Sequence, residues 1–278
     1  MFYSPDGTLR YSPRDLVAYL EGDFAAWCER MQAERHRTGD VGSAELEWVI
    51  PDEEDEELAL VARMGREHED RYLRLVRARE PGMVEIVRNA PAAAADTLAA
   101  LRAGAPAIYQ AHLVMDGWQG LPDFLFRLPG ACTFGDYHYV PWDTKLARSA
   151  KPYFLIQLCA YAEMLEFIQG FRPAELVFVL GHNEERRFAT RDYFYYYRQL
   201  KQSFLAFQSR WEKGRVPEPG LDRSWGRWAK TAEKLLAESD HLSRVANITR
   251  AQVRRLEEEG IALLRALAAC PAPRVPHI

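Results

Sequence analysis

The sequence predicts a mixed α/β fold, and three observations carry that expectation. Apolar residues recur at helical spacing in several long stretches. Between residues 107 and 181, runs rich in Val, Ile, Tyr and Phe are bounded by turn residues, as strands are. The resulting order of helix, three strands, helix, strand and helix describes a central sheet flanked by helices rather than a repeated βαβ array. The chain has 278 residues, 48% of them apolar, which is enough for one large domain or a domain with a small appendage. Charged residues at 27% and aromatics at 12% exclude a disordered or fibrous chain. A net charge of −4 excludes a histone-like basic binder but leaves room for a local basic groove.

The elements follow in order. "YSPRDLVAYLEGDFAAWCERMQAER" reads as one helix, with Ser12 as N-cap and Pro13 at the first helical position. "TGDVGSAELEWVIPDEEDEE" is a polar, Gly-bearing surface loop. A second helix is expected over 56–80, its acidic start suiting the positive end of the helix dipole. Val61, Met64, His68, Tyr72 and Leu75 form its expected inward stripe, with Gly65 leaving room for a close neighbour and Glu69 turned toward solvent. Asp96 and Thr97 open a short helix. Strands are expected at 107–114, 121–128 and 136–146, separated by the turns "MDGWQG" and "PGACTFG". A helix over 151–169, a strand over 175–181 and a helix closing at Gly214 complete the core. "RVPEPG" is a linker, and the chain from 222 onward is helical.

The chemistry concentrates in "VPWDTKLARSAKPYFLIQLCAYAEML". Asp143 and Lys145 alternate along a strand and so leave it on the same face. Asp123 interrupts the apolar "LPDFLFRL". It either caps a turn after Gly120 and faces water, or shares a hard divalent cation with Asp143 on a neighbouring strand. His68 is either a satisfied buried histidine or a ligand. Gln157 and Tyr161 share one helix face with Met164 and Ile168, and either bond locally or border the Asp143–Lys145 site. Lys145, Arg148 and Lys151 add positive charge there, which suits a polyanion. "RDYFYYYRQLK" mixes aromatics with bases and reads equally as a single-strand-binding surface or an amphipathic core helix.

In order, His68 in "GREHE", Asp123 in "LPDFL", Asp143-Thr144-Lys145 and Gln157 through Tyr161 in "QLCAY" resemble the motif set of the PD-(D/E)XK nuclease superfamily, and within it the RecB-like exonucleases. The similarity spans roughly residues 10–210 and extends to CRISPR-associated RecB-like exonucleases and to RecB-family domains of larger proteins carrying helicase or RNase H-like regions. It implies a restriction-endonuclease-like core over 1–215, extra helices, and a helical appendage over 222–272. It also implies a metal-dependent nuclease acting on DNA ends or single strands. His68, Asp123, Asp143 and the Thr144 carbonyl would hold Mg²⁺ or Mn²⁺, Lys145 would position water and stabilise charge, and Gln157 and Tyr161 would support the site or bind the DNA backbone.

Many relatives carry a four-cysteine iron–sulfur cluster. The corresponding places here hold Gly22, Arg223, Gly226 and Ala232, so no cluster is expected and the amino-terminal helix should be tied to the later helices by packing alone. Cys28, Cys132, Cys159 and Cys270 form no CxxC pair and read as reduced thiols of a cytoplasmic protein. No signal peptide or membrane span is expected. The tail "SDHLSRVANITRAQVRRLEEEGIALLRALA" resembles a helix-hairpin-helix element with Asn247 in its turn, or is a structural cap, and the chain is expected to belong to a longer DNA-processing protein. A second expectation from another class is a non-catalytic nucleic-acid-binding or assembly module that keeps the nuclease fold.

Overall fold

The computed structural model describes residues 1–39, 48–53 and 56–271. The loop expected over 38–57 therefore lies partly outside the described residues, and the last stretch of the tail, 272–278, wholly so. Two compact units divide the chain. One comprises Met1–Val17 and Glu54–Ser209; the other comprises the described parts of Ala18–Glu53 and Arg210–Ile278.

The first unit is α/β. Its strands are β1 (Phe2–Tyr3), β2 (Leu9–Arg10), β3 (Val84–Glu85), β4 (Ala107–Tyr109), β5 (Leu113–Met115), β6 (Trp118–Gly120), β7 (Phe124–Cys132), β8 (Gly135–Thr144), β9 (Glu175–Leu180) and β10 (Glu184–Ala189). Six of them form a mixed sheet in the order β10-β9-β8-β7-β4-β3, in which β8 runs parallel to β9 and β3 parallel to β4. β9 joins β8 only from Trp142 onward, past Pro141, which has no N–H to offer a second neighbour. Helix α1 (Pro13–Glu21) leads in, followed by α2 (Asp23–Thr38) of the second unit. Helix α3 (Glu56–Arg79) covers one face of the sheet, burying Tyr72, Leu73 and Val76 against Phe124, Phe126, Val140, Trp142, Val177 and Val179. Helix α4 (Ala93–Arg102) packs on β4 and β5. Helix α5 (Pro152–Gln169), apolar on nearly every side, packs on β8, β9 and the β5–β6 hairpin, and α6 (Arg191–Ser209) lies against α5 and β10.

Several expectations change. The first predicted helix is two, broken at Gly22. The inward stripe of α3 is His68, Tyr72, Leu73 and Val76, whereas Val61, Met64 and Leu75 are exposed and Gly65 has no neighbour within 4 Å of an added Cβ. The run "AIYQAHLV" is two strands in different sheets, because Gln110 takes a left-handed backbone at φ 56°. "MDGWQG" is not only a turn: Asp116 and Gly117, at φ 34° and 75°, make a tight reversal and Trp118–Gly120 is its second strand. Thr97 lies inside α4, where its hydroxyl bonds the Ala93 carbonyl. Helix α6 stops at Ser209, short of Gly214. Strand β10 was not expected from the sequence, since it is a sheet edge with charge on both faces.

The second unit joins α2 to α7 (Ala229–Glu238), α8 (Arg250–Glu258) and α9 (Leu264–Ala268). Packing alone does not hold it. The Asp222 carboxylate accepts from the Phe24 N–H at 3.0 Å, and the Arg223 N–H donates to the Glu21 carbonyl at 2.8 Å. Arg227 meets Glu29 through two nitrogens at 2.8 and 2.6 Å, and Trp228 Nε1 donates to the same carboxylate at 3.0 Å. A Cβ at Gly22 would run into Asp222. Asn247 takes φ 61° in the turn before α8, which starts with a Thr249–Gln252 capping box. Leu242, Val253 and Leu256 form the small core of this end.

Candidate functional site

At the carboxyl end of β8, strand alternation sends Val140, Trp142 and Thr144 toward α3 and Asp143 to the opposite face, in register with Phe178, which touches Phe154 of α5. Asp143 is only 1% exposed. Lys145 continues the strand by one residue, its N–H donating to the Val179 carbonyl at 2.9 Å. Its ammonium pairs with Asp143 and lies 5.5 Å from the Phe154 ring centre. Beyond that ion pair, Asp143 Oδ2 receives no donor from the described residues.

Asp123 stands just before β7. Its Oδ2 accepts from Thr144 N–H at 2.8 Å and Thr144 Oγ1 at 2.7 Å, so it is strapped to the end of β8 rather than capping a turn. The two carboxylates are thereby held close. Burial, then the Asp123 charge, pushes Asp143 up to about 7, with Lys145 opposing. Burial and then the Glu69 charge raise Asp123 above the usual carboxylate range. Burial works against the Lys145 ammonium, yet Asp143 and Asp123 outweigh it and raise its pKa above the ordinary lysine value.

His68, 1% exposed, places Nε2 3.1 Å from the Val179 carbonyl. A carbonyl only accepts, so Nε2 carries the proton and Nδ1 offers a lone pair with no partner among the described residues. Val179 is the register partner of Thr144, so His68 reaches the strand end through the backbone. Among the described residues, no group of three or more His, Cys, Asp or Glu side chains is placed to hold a metal ion. The donor chemistry at the strand end still fits a hard divalent cation. Two mutually repelling carboxylates supply oxygens, Asp143 Oδ2 has only the Lys145 ammonium beside it, and His68 Nδ1 has no partner among the described residues.

Gln157 Nε2 donates to the Tyr161 hydroxyl at 2.7 Å, and that hydroxyl donates to the Leu121 carbonyl at 3.2 Å, two residues before Asp123. Burial, with Asp143 nearby, raises the Tyr161 pKa well above its ordinary value, so the phenol stays neutral. A Cβ at Gly120 would lie 2.8 Å from both the Tyr161 ring and Met164 Sδ, so the glycine lets the ring lie on the backbone. Arg148 and Lys151 are exposed on the loop between β8 and α5.

Glu69 was expected in solvent and belongs to this site. It accepts from Tyr109 Oη at 2.9 Å and from the Gln110 amide, and its charge is felt at both Asp123 and Lys145. The helical wheel of α3 alone hides this, because the partners lie 40 and 41 residues away in the chain. The sequence signal was a glutamine and an aromatic breaking an otherwise apolar strand. No protein-family model matches the chain, and no curated protein matches it.

Proposed function

We propose that the protein is a metal-dependent DNA nuclease of the PD-(D/E)XK type, hydrolysing phosphodiester bonds at DNA ends or in single strands. The observation that carries this reading is the assembly of Asp123, Asp143 and Lys145 at one strand end, two carboxylates beside a single ammonium. Asp123 and Asp143 would hold Mg²⁺ or Mn²⁺, and His68, the nitrogen donor of the motif set, has an Nδ1 without a partner among the described residues. Bound there, the cation would polarise the phosphate and lower the pKa of the attacking water. Lys145, kept protonated by its two carboxylate neighbours, serves as a positive charge for the phosphorane oxygens and as a donor to water rather than as a base. Thr144 fixes the Asp123 carboxylate, and Tyr161 with Gln157 fixes the Leu121–Asp123 turn, so these three position the site. The residues are consistent with a RecB-like domain of a larger DNA-processing protein.

A second reading, a nucleic-acid-binding module without cleavage, draws on the ion pair that already occupies Asp143 and on the carbonyl that already engages His68. End-labelled single- and double-stranded DNA, incubated with Mg²⁺, Mn²⁺ or EDTA, separates the two. Metal-dependent cleavage lost in Asp143→Ala and Lys145→Ala supports the nuclease. Cleavage indifferent to both substitutions removes the site, and DNA binding without cleavage selects the module.

A further inference from the structure

Along β9, Glu175 lies four residues from the Val179 that borders the candidate site, about 13 Å away at ordinary strand rise. Around it opens a cavity of ≈ 680 Å³ whose lining includes Arg172, Arg187, Arg191, Arg198, Phe194 and Tyr195. Three of these share one face of α6 at helical spacing: Arg191, Tyr195 and Arg198 stand at i, i+4 and i+7. Tyr195 is 77% exposed, far more than a ring of its size needs to be if its work were packing. Phe194, buried beneath, carries the Arg172 guanidinium 4.2 Å above its ring.

The acidic groups nearby do not neutralise this surface. Arg187 is the best satisfied, 2.9 Å from Glu175 in the cavity wall and 3.5 Å from Glu185. Arg172 meets Glu166 only at 3.8 Å and Arg191 meets Asp192 only at 3.6 Å, long contacts between exposed groups that contribute little and yield to a better anion. Arg198 has no ion pair among the described residues.

We infer that this cavity binds single-stranded nucleic acid, with a base stacked on Tyr195 and the flanking phosphates held by Arg191 and Arg198. An exposed ring between two guanidinium groups on one helix face matches the alternation of base and phosphate along a strand. An acidic peptide would use the arginines and leave the ring idle. The volume lies within the range of about 300–1,000 Å³ typical of small-ligand sites, which suits one or two splayed nucleotides and not a duplex. The inference rests on the nuclease reading for its substrate class, and gives that site a second grip on the strand.

The test is fluorescence anisotropy of a short labelled thymidine oligonucleotide in EDTA across a salt series. Wild-type protein should bind, and Tyr195→Ala should bind about tenfold more weakly while Tyr195→Phe retains affinity. Arg191→Glu with Arg198→Glu should weaken binding at least tenfold and flatten the log–log salt slope by roughly 1.4, two single-strand phosphate contacts. Both sets of positions are exposed, so unchanged melting curves confirm intact folding. Binding indifferent to all of these variants overturns the inference, as does an acidic peptide that binds here while the oligonucleotide does not. A protein that binds through Tyr195 but cuts nothing counts against the nuclease reading alone. One that cuts normally, with binding blind to Tyr195 and the arginines, counts against this inference alone.

Discussion

Asp143 is the residue whose titration reports most directly on the candidate site. Its carboxyl is raised from 3.8 to about 7, so the folded chain holds the proton more tightly than the unfolded chain does. Stability from this group is therefore full below the ordinary carboxylate range and is lost as pH rises through about 7. In EDTA, wild-type Tm should fall across that window, and Asp143→Asn should flatten the fall and melt at least ~3 °C higher above neutrality. A variant that tracks the wild type at every pH would mean that the carboxylate pair is not under the repulsion described. Glu69→Gln keeps an acceptor for Tyr109 but removes a charge felt at Asp123 and Lys145. The Mg²⁺ concentration giving half-maximal thermal stabilisation should rise about tenfold, as for outer-sphere partners of metal ligands. At this scale the sequence was informative where a residue violated its surroundings. Asp123 in an apolar run and the alternation of Asp143 with Lys145 could both be read directly. Glu69 could not, because its neighbours are defined only once Gln110 turns its backbone to φ 56° and the chain brings β4 under α3.

Among the elements, α5 and the β5–β6 hairpin show how a polar pair inside an apolar helix comes to hold the Leu121 carbonyl beside the candidate site. Tyr161 can reach the Leu121 carbonyl only because Gly120 presents bare backbone to its ring. Gly120→Ala should cost about 1–3 kcal/mol in urea unfolding, as an added methyl in a packed core does, and should lower the cleavage proposed above beyond the stability loss by shifting Asp123. Equal activity per folded molecule would separate the hairpin from the site. Helix ends were legible from their breakers: α3 and α5 lie close to their expected bounds because Pro81 and Gly170 close them, although the inward stripe of α3 was misplaced at Val61, Met64 and Leu75. Strand limits were not. A single left-handed Gln110 splits one apolar run into two sheets, and the charged β10 carries no apolar alternation by which to be found.

For the whole molecule, the division into two units means that unfolding need not be a single event. Gly22→Ala tests this. Gly22 is extended, at φ 172°, so any residue can adopt its backbone, and the penalty is the collision with Asp222, which caps α2 through the Phe24 N–H. The tryptophan signal of the second unit, from Trp27, Trp48, Trp211, Trp225 and Trp228, should report unfolding at lower urea, a loss of about 1–3 kcal/mol. Hydrogen-exchange protection of the candidate site in the first unit should stay as in the wild type. The sheet of the first unit ends at β10, six residues whose first four, Glu184, Glu185, Arg186 and Arg187, are all exposed. Arg186 and Glu184 pair at 2.6 Å and Arg187 reaches across to Glu175 at 2.9 Å, so that border presents fixed charges beside its unpaired backbone. A second copy approaching edge to edge would have to strip water from those charges before gaining a ladder hydrogen bond. Replacing Glu184 and Arg186 with valine should turn the border into a template for self-assembly, seen as concentration-dependent larger species in size-exclusion chromatography. The charge that hid this strand from a sequence reader is thus also what disfavours pairing of this edge with a second copy.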